Sequence, residues 1–131
     1  MILAVSAMLL VVTPALSATQ DCPTLDRDGI EKLLKDATSC DKSMEMFNAC
    51  AYGFGGDTLL SEIVIEKCEG DFLSKLSKAE ERSYRQKVKR CDYKYRNETG
   101  TMYRSFEAFC RAGVAQNYST RALKAKPASR K

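Results

Sequence analysis

The sequence predicts an all-α fold, roughly five helices in a small disulfide-stapled bundle. Two observations between Glu62 and Tyr118 carry that expectation. Between Lys78 and Arg96, Tyr84, Val88, Cys91 and Tyr95 recur at steps of four, three and four, the period of one helical face. Beyond the polar connector Asn97-Glu98-Thr99-Gly100, the residues Met102, Phe106, Phe109, Cys110, Gly113, Val114 and Asn117 repeat the pattern. Cysteines stand on both stripes, so the buried seam and the disulfide framework are expected to be one surface. A chain of 131 residues leaves room for one domain with a modest core.

Taken in order, residues 1–18 read as a secretory signal peptide. Met1 to Val12 is uncharged and almost wholly apolar, and Pro14 and the small-residue run Ala15-Leu16-Ser17-Ala18 follow it. The apolar run is too short, and too soon broken by proline, to span a bilayer as a helix of about 20 residues. The domain is expected over residues 19–121. It starts with an extended leader, Asp21 to Arg27, tied down through Cys22. A first helix follows, capped by Asp26 or Asp28, with Ile30, Leu33, Leu34 and Ala37 on one face. Ser39 or Asp41 can cap the second, which carries Met44, Phe47, Cys50, Ala51 and Phe54. Gly53-Phe54-Gly55-Gly56-Asp57 ends it, and Asp57 can cap the third helix.

The third helix shows the strongest stripe: Leu60, Ile63, Val64, Cys68, Phe72, Leu73 and Leu76, with Gly70 marking a bend or a close helix contact. The β-branched run Ile63-Val64-Ile65 could be a strand by propensity alone, but Glu62, Glu66 and Lys67 fit a helical period better. Ser77-Lys78-Ala79-Glu80 is a capping box that opens the fourth helix. Residues 122–131 read as a disordered basic tail.

Six cysteines in a short exported chain imply three disulfides among Cys22, Cys40, Cys50, Cys68, Cys91 and Cys110, formed in an oxidising compartment, either periplasmic or outside the cell. Cys91 and Cys110 flank the Gly100 connector on facing sides of consecutive antiparallel helices, so they are expected to pair. For the remainder, Cys22 with Cys40 and Cys50 with Cys68 is favoured. Residues 21–81 hold 14 acids and 7 bases, net −7, whereas residues 82–131 hold 3 acids and 14 bases, net +11. That asymmetry is read either as acidic and basic helices screening one another or as a basic surface for an anionic partner.

Several chemistries lack their residues. With no histidine, the usual Ser-His-Asp and Cys-His nucleophilic sites are excluded. There is no Cys-x-x-Cys or thiol cluster for zinc, so neither a metal nor a cofactor is expected. Asp57, Glu62, Glu66 and Glu69 lie at near-helical spacing and read as a solvated face. Gly55-Gly56-Asp57 is too short for a phosphate loop. Tyr84, Tyr93, Tyr95 and Tyr103 lie among lysines and arginines, a mixture that nucleic-acid binders use. An exported address makes cell-wall polymers, lipid head groups or an acidic protein surface the reachable anions instead, and no nucleic-acid partner is expected. Asn97-Glu98-Thr99 and Asn117-Tyr118-Ser119 match the N-glycosylation pattern.

The stretch Glu80-Glu81-Arg82-Ser83-Tyr84 through Cys91, then Gly100-Thr101-Met102-Tyr103-Arg104 and Cys110, resembles the LprI-type family of lysozyme-inhibitor-like domains, small secreted bacterial proteins. Tyr84 stands where that family commonly has Trp, Glu81 where it has Gln, and Val88-Lys89 where it has Arg-Asp; its Thr-x-x-Arg after the second cysteine is not reproduced at the usual distance. The resemblance covers about residues 60–121 and implies a helical, disulfide-bonded exported domain that inhibits a lysozyme-like enzyme. On this reading the chain is a monomeric, non-enzymatic binding module of the cell envelope. Thr101, Tyr103 and Arg104 would supply the contacts to a carboxylate-lined cleft, Arg104 through a two-pronged bond. The other expectation is a binder of anionic cell-wall material or lipid head groups through the basic C-terminal half.

Overall fold

The computed structural model describes residues 21–51 and 56–125. Its elements are α1 (Arg27–Asp36), α2 (Cys40–Cys50), α3 (Asp57–Glu69), a 3-10 turn at Leu73–Lys75, α4 (Lys78–Tyr95) and α5 (Thr101–Lys124). The described residues hold five α-helices and no strand, the predicted fold class. The expected signal peptide, residue Phe54 of the α2 stripe and the tail from residue 126 lie outside the described residues. α5 continues to Lys124, past the expected boundary at 121.

Local chemistry sets the helix starts. Asp26 accepts from the Gly29 N–H at 2.9 Å and Ser39 from the Lys42 N–H at 3.1 Å, each satisfying a backbone donor that the first turn leaves without a partner. At α4 the capping box closes in both directions: Ser77 N–H donates to Glu80 at 2.7 Å and Glu80 N–H to the Ser77 hydroxyl at 3.2 Å. The bond from the Ser77 N–H, and after it the Ser77 side chain, hold the Glu80 carboxyl below its ordinary value. The long stripe predicted from Leu60 to Leu76 is not one helix. α3 stops at Glu69, Gly70 is its C-cap, and the chain turns through Leu73–Lys75 before α4. Phe72 is still buried, because the turn carries it back onto the core. Ile63-Val64-Ile65 is helical, as its flanking charges imply.

Helix directions follow from the contacts. Ser105 donates to Asp57 and Ser119 to Asp71, each across 48 residues, so α3 and α5 run parallel. α4 runs antiparallel to α5, joined by Cys91–Cys110, and α2 likewise, with Gln116 bonded to Asp41 and Phe109 packed on Phe47. α1 packs on α2 and α3.

The predicted buried face of α5 is displaced. Met102 is 55% exposed and Asn117 is exposed, while Phe106, Phe109, Cys110, Gly113 and Val114 are half-buried. The residues fully covered are Ser105, Ala108, Ala112, Ala115 and Ser119. Small side chains at steps of three and four let α5 approach α3 closely, opposite Leu60, Ser61, Val64 and Cys68, and the larger neighbours on either flank then pack against α2 and α4. A hydrophobic stripe weighted by large residues misses such a seam, because alanine and serine carry little apolar signal.

Two of the three expected disulfides are corrected. The bridges are Cys22–Cys50, Cys40–Cys68 and Cys91–Cys110, not Cys22 with Cys40 and Cys50 with Cys68. Pairing neighbours in the chain would require Cys22 and Cys40 to meet near the start of α2. α2 instead lies antiparallel to α3, which brings its first residue, Cys40, beside Cys68 near the end of α3. Cys50 at the far end of α2 is left to hold the leader.

Candidate functional site

The basic half of the chain becomes a surface on α4. On the side facing the core stand Tyr84, buried, Val88, half-buried, and Cys91, buried. The opposite side carries Lys78, Arg82, Arg85, Lys89, Tyr93 and Arg96 at steps of four, three, four, four and three, a straight row along the helix. Arg90 and Gln86 flank it, and all eight side chains are exposed. At a rise of 1.5 Å per residue the row is about 27 Å long.

No carboxylate stands within the row. Glu81 lies at its edge and pairs with Arg85 at 3.3 Å and with Lys78 at 3.9 Å. Asp92, three residues after Lys89 and four before Arg96, borders the row as well, its side chain 47% exposed, and pairs with Arg111 at 3.5 Å. Arg82, Lys89 and Arg90 make no ion pair or side-chain hydrogen bond with the described residues. They are exposed cations whose mutual repulsion an anion would relieve. Tyr93, 64% exposed, has the Arg96 guanidinium 4.7 Å from its ring centre.

α4 is rigidly mounted. Cys91–Cys110 ties it to α5, and one residue further on Arg111 of α5 sits between Glu62 of α3 at 2.7 Å and Asp92 of α4 at 3.5 Å. At its other end Tyr84 packs edge-on to Phe72 and Tyr118, ring centres 5.0 Å apart in each case, and donates to Glu69 at 2.8 Å. Burial, then the hydrogen bond and charge of Glu69, push the Tyr84 phenol well above its ordinary value. The acidic residues of α3, expected to form a solvated face, are therefore mostly anchors. Asp57 accepts from Ser105, Glu62 pairs with Arg111 and Glu69 accepts from Tyr84; of the four only Glu66, which is exposed, has no such partner among the described residues. Asp57 is the first residue of α3 and the N-cap position is Gly56, so Asp57 does not cap the helix as expected.

Thr101, Tyr103 and Arg104 do come together in the first turn of α5, after Gly100, whose φ of 108° lies in the left-handed region that glycine tolerates. Their chemistry differs from the expectation. Thr101 is exposed, and its carbonyl accepts from Ser105. Tyr103 is half-buried, edge-on to Phe106. Arg104 donates to the carbonyls of Tyr95 at 2.9 Å and Glu98 at 3.1 Å and to the Glu107 carboxylate at 2.6 Å. Its guanidinium closes the C-terminal end of α4, satisfying carbonyls the helix leaves open. Of the four tyrosines among the basic residues, Tyr84 is core, Tyr95 and Tyr103 flank Phe106, and Tyr93 alone is a large exposed side chain. The spacing of the α4 row is legible in the sequence; the Glu62–Arg111–Asp92 node is not, since nothing local brings α3, α4 and α5 to one point.

No group of three or more His, Cys, Asp or Glu side chains placed to hold a metal occurs among the described residues, and none of their helices is long and apolar enough to cross a membrane. No family model, curated protein or solved structure matches the chain.

Proposed function

We propose that the mature chain is an exported, non-enzymatic binding domain that holds anionic material of the cell envelope on the outward face of α4. One observation carries this: Lys78, Arg82, Arg85, Lys89, Arg90 and Arg96 stand exposed along one side of a braced helix, and since Glu81 pairs with Lys78 and Arg85 and Asp92 with Arg111, the cations Arg82, Lys89, Arg90 and Arg96 have no carboxylate partner among the described residues. A surface that served only solubility would interleave both signs. The backbone of the row is already held on a helix tied to α5, so binding has only the side chains left to order.

Inhibition of a lysozyme-like hydrolase stands second. It draws on the resemblance, and the contact assigned to Arg104 would have to replace bonds this side chain already makes to Tyr95, Glu98 and Glu107.

The test is pelleting of the purified protein with a washed bacterial envelope fraction, beside a lysozyme turnover assay. A variant with Arg82, Lys89 and Arg90 all changed to Gln should lose most of its pelleting, and binding by the unaltered chain should weaken steeply with salt, as screened charge contacts do. Equal pelleting of both proteins, or stoichiometric inhibition of lysozyme that Arg104→Ala abolishes, would transfer the function to the other site.

A further inference from the structure

We infer that the occupant of the α4 face is the surface of an anionic phospholipid bilayer, with α4 lying flat along the head groups. This rests on the binding reading above and names its partner.

Shape is the first argument. Polyanionic chains are usually gripped in a groove whose walls follow the backbone, but here the described cations stand along the exposed side of a single helix, around an open recess lined by Lys78, Glu81, Arg82, Arg85, Gln86 and Lys89. A plane touches such a row along its whole length. A flexible polymer would meet it on one side only.

The composition of the row points the same way. Three of its five cations, Arg82, Arg85 and Arg96, and the flanking Arg90 are arginines, whose planar fork matches two phosphate oxygens at once. Tyr93 stands in the same row, 64% exposed and covered on one side by Arg96. An aromatic ring with a polar tip suits the head-group level of a membrane. No Leu, Ile, Val, Phe or Met accompanies it on this side of α4. The contact is therefore superficial and electrostatic, without the deep apolar face of an inserting helix.

Charge asymmetry supplies orientation. Residues 78–96, α4 and the residue after it, hold eight bases and three acids, net +5, against net −4 for α1, α2 and α3 together. Near a negative surface a torque turns the α4 side toward the lipid and the acidic helices toward water.

Because the chain has no tryptophan, Tyr93→Trp places a single indole in the row. The experiment mixes this protein with vesicles of phosphatidylcholine, with and without phosphatidylglycerol, and reads the indole emission and the pelleted fraction. The expected result is a blue shift and pelleting with the anionic vesicles only. Each basic residue near such a surface is worth about fivefold in partitioning. Changing Arg82, Lys89 and Arg90 to Gln in the same background should therefore lower it by roughly 100-fold, at an unchanged melting temperature. Equal binding to neutral vesicles, or equal binding of the triple variant, overturns the inference. Soluble inorganic polyphosphate is the second arm. If it binds at the α4 row and shifts the indole while anionic vesicles do not, the partner is a polymer and only the bilayer is lost. If neither binds, the anionic-binding reading falls as well.

Discussion

Single residues in this protein are decided by what lies within a few ångströms of them. Tyr84 is fully buried, and its phenol donates to Glu69. Its folded-state value is raised above the ordinary 10.0, first by burial and then by Glu69. The folded chain therefore keeps a proton that the unfolded chain gives up above pH 10 or so. Stability from this group is fully present below that pH and falls as pH rises further. Urea titrations across the alkaline range should show the decline in the parent and a shallower one in Tyr84→Phe, which loses about 1 kcal/mol at neutral pH with the hydrogen bond. A parallel decline in both proteins would mean that another group governs alkaline unfolding. Gly113 illustrates the opposite case. It falls on the stripe read from the sequence, but a Cβ built there meets nothing within 4 Å. Gly113→Ala should raise stability by up to about 1 kcal/mol, the cost of glycine in a helix interior, read from the urea midpoint.

At the scale of elements, α3 and α5 form the most extensive helix pairing among the described residues. Ser105, Ala108, Ala112, Ala115 and Ser119 are its α5 side, and the two serines bond to Asp57 and Asp71 at either end. Hydroxyl–carboxylate bonds fix the register, while the alanines set the separation. Ala112, wholly covered, has no room for a larger side chain. Ala112→Leu should cost about 1–3 kcal/mol by forcing the helices apart, whereas Met102→Ala, on the exposed side, should stay within about 0.5 kcal/mol. Chemical denaturation of the two variants compares them directly; the reverse ranking would place the seam where the large residues are. Arg111 adds a second tie, since one guanidinium meets carboxylates from both α3 and α4.

Across the whole molecule the three bridges join elements that would otherwise depend on a modest core. Cys22–Cys50 and Cys40–Cys68 span the same 28 residues, so restriction of the unfolded chain contributes nearly equally, about 3–4 kcal/mol each in the chain-entropy model. They differ in the folded state. Cys40 and Cys68 join two helices within the core, at 2% and 0% exposure, while Cys22 tethers only the leader. Replacing Cys40 and Cys68 by Ser should therefore lower the melting temperature more than replacing Cys22 and Cys50. Equal losses would show that chain entropy alone accounts for both. Reducing all three bridges should abolish cooperative melting near room temperature, because their summed contribution, at roughly 2–5 kcal/mol each, is comparable to the total stability of such a domain.

What could be read before any tertiary contact was known is what depends on neighbours in the chain. The all-α class, the Ser77–Glu80 capping box, the Asp26 and Ser39 caps, the Cys91–Cys110 bridge across one connector and the 4-3-4 spacing of α4 all rest on interactions spanning a few residues or one hairpin. The parallel course of α3 and α5, the Cys22–Cys50 and Cys40–Cys68 pairings, and the use of Asp57, Glu62 and Glu69 as anchors depend on helices far apart in sequence meeting in one register. Arg104 belongs to the same class: a residue with the chemistry to bind a carboxylate is taken up by the end of α4, because the turn at Gly100 brings the Tyr95 and Glu98 carbonyls within its reach. A charged side chain shows its chemistry in the sequence, but whether it is free for a partner is settled by the carbonyls and carboxylates that folding brings beside it.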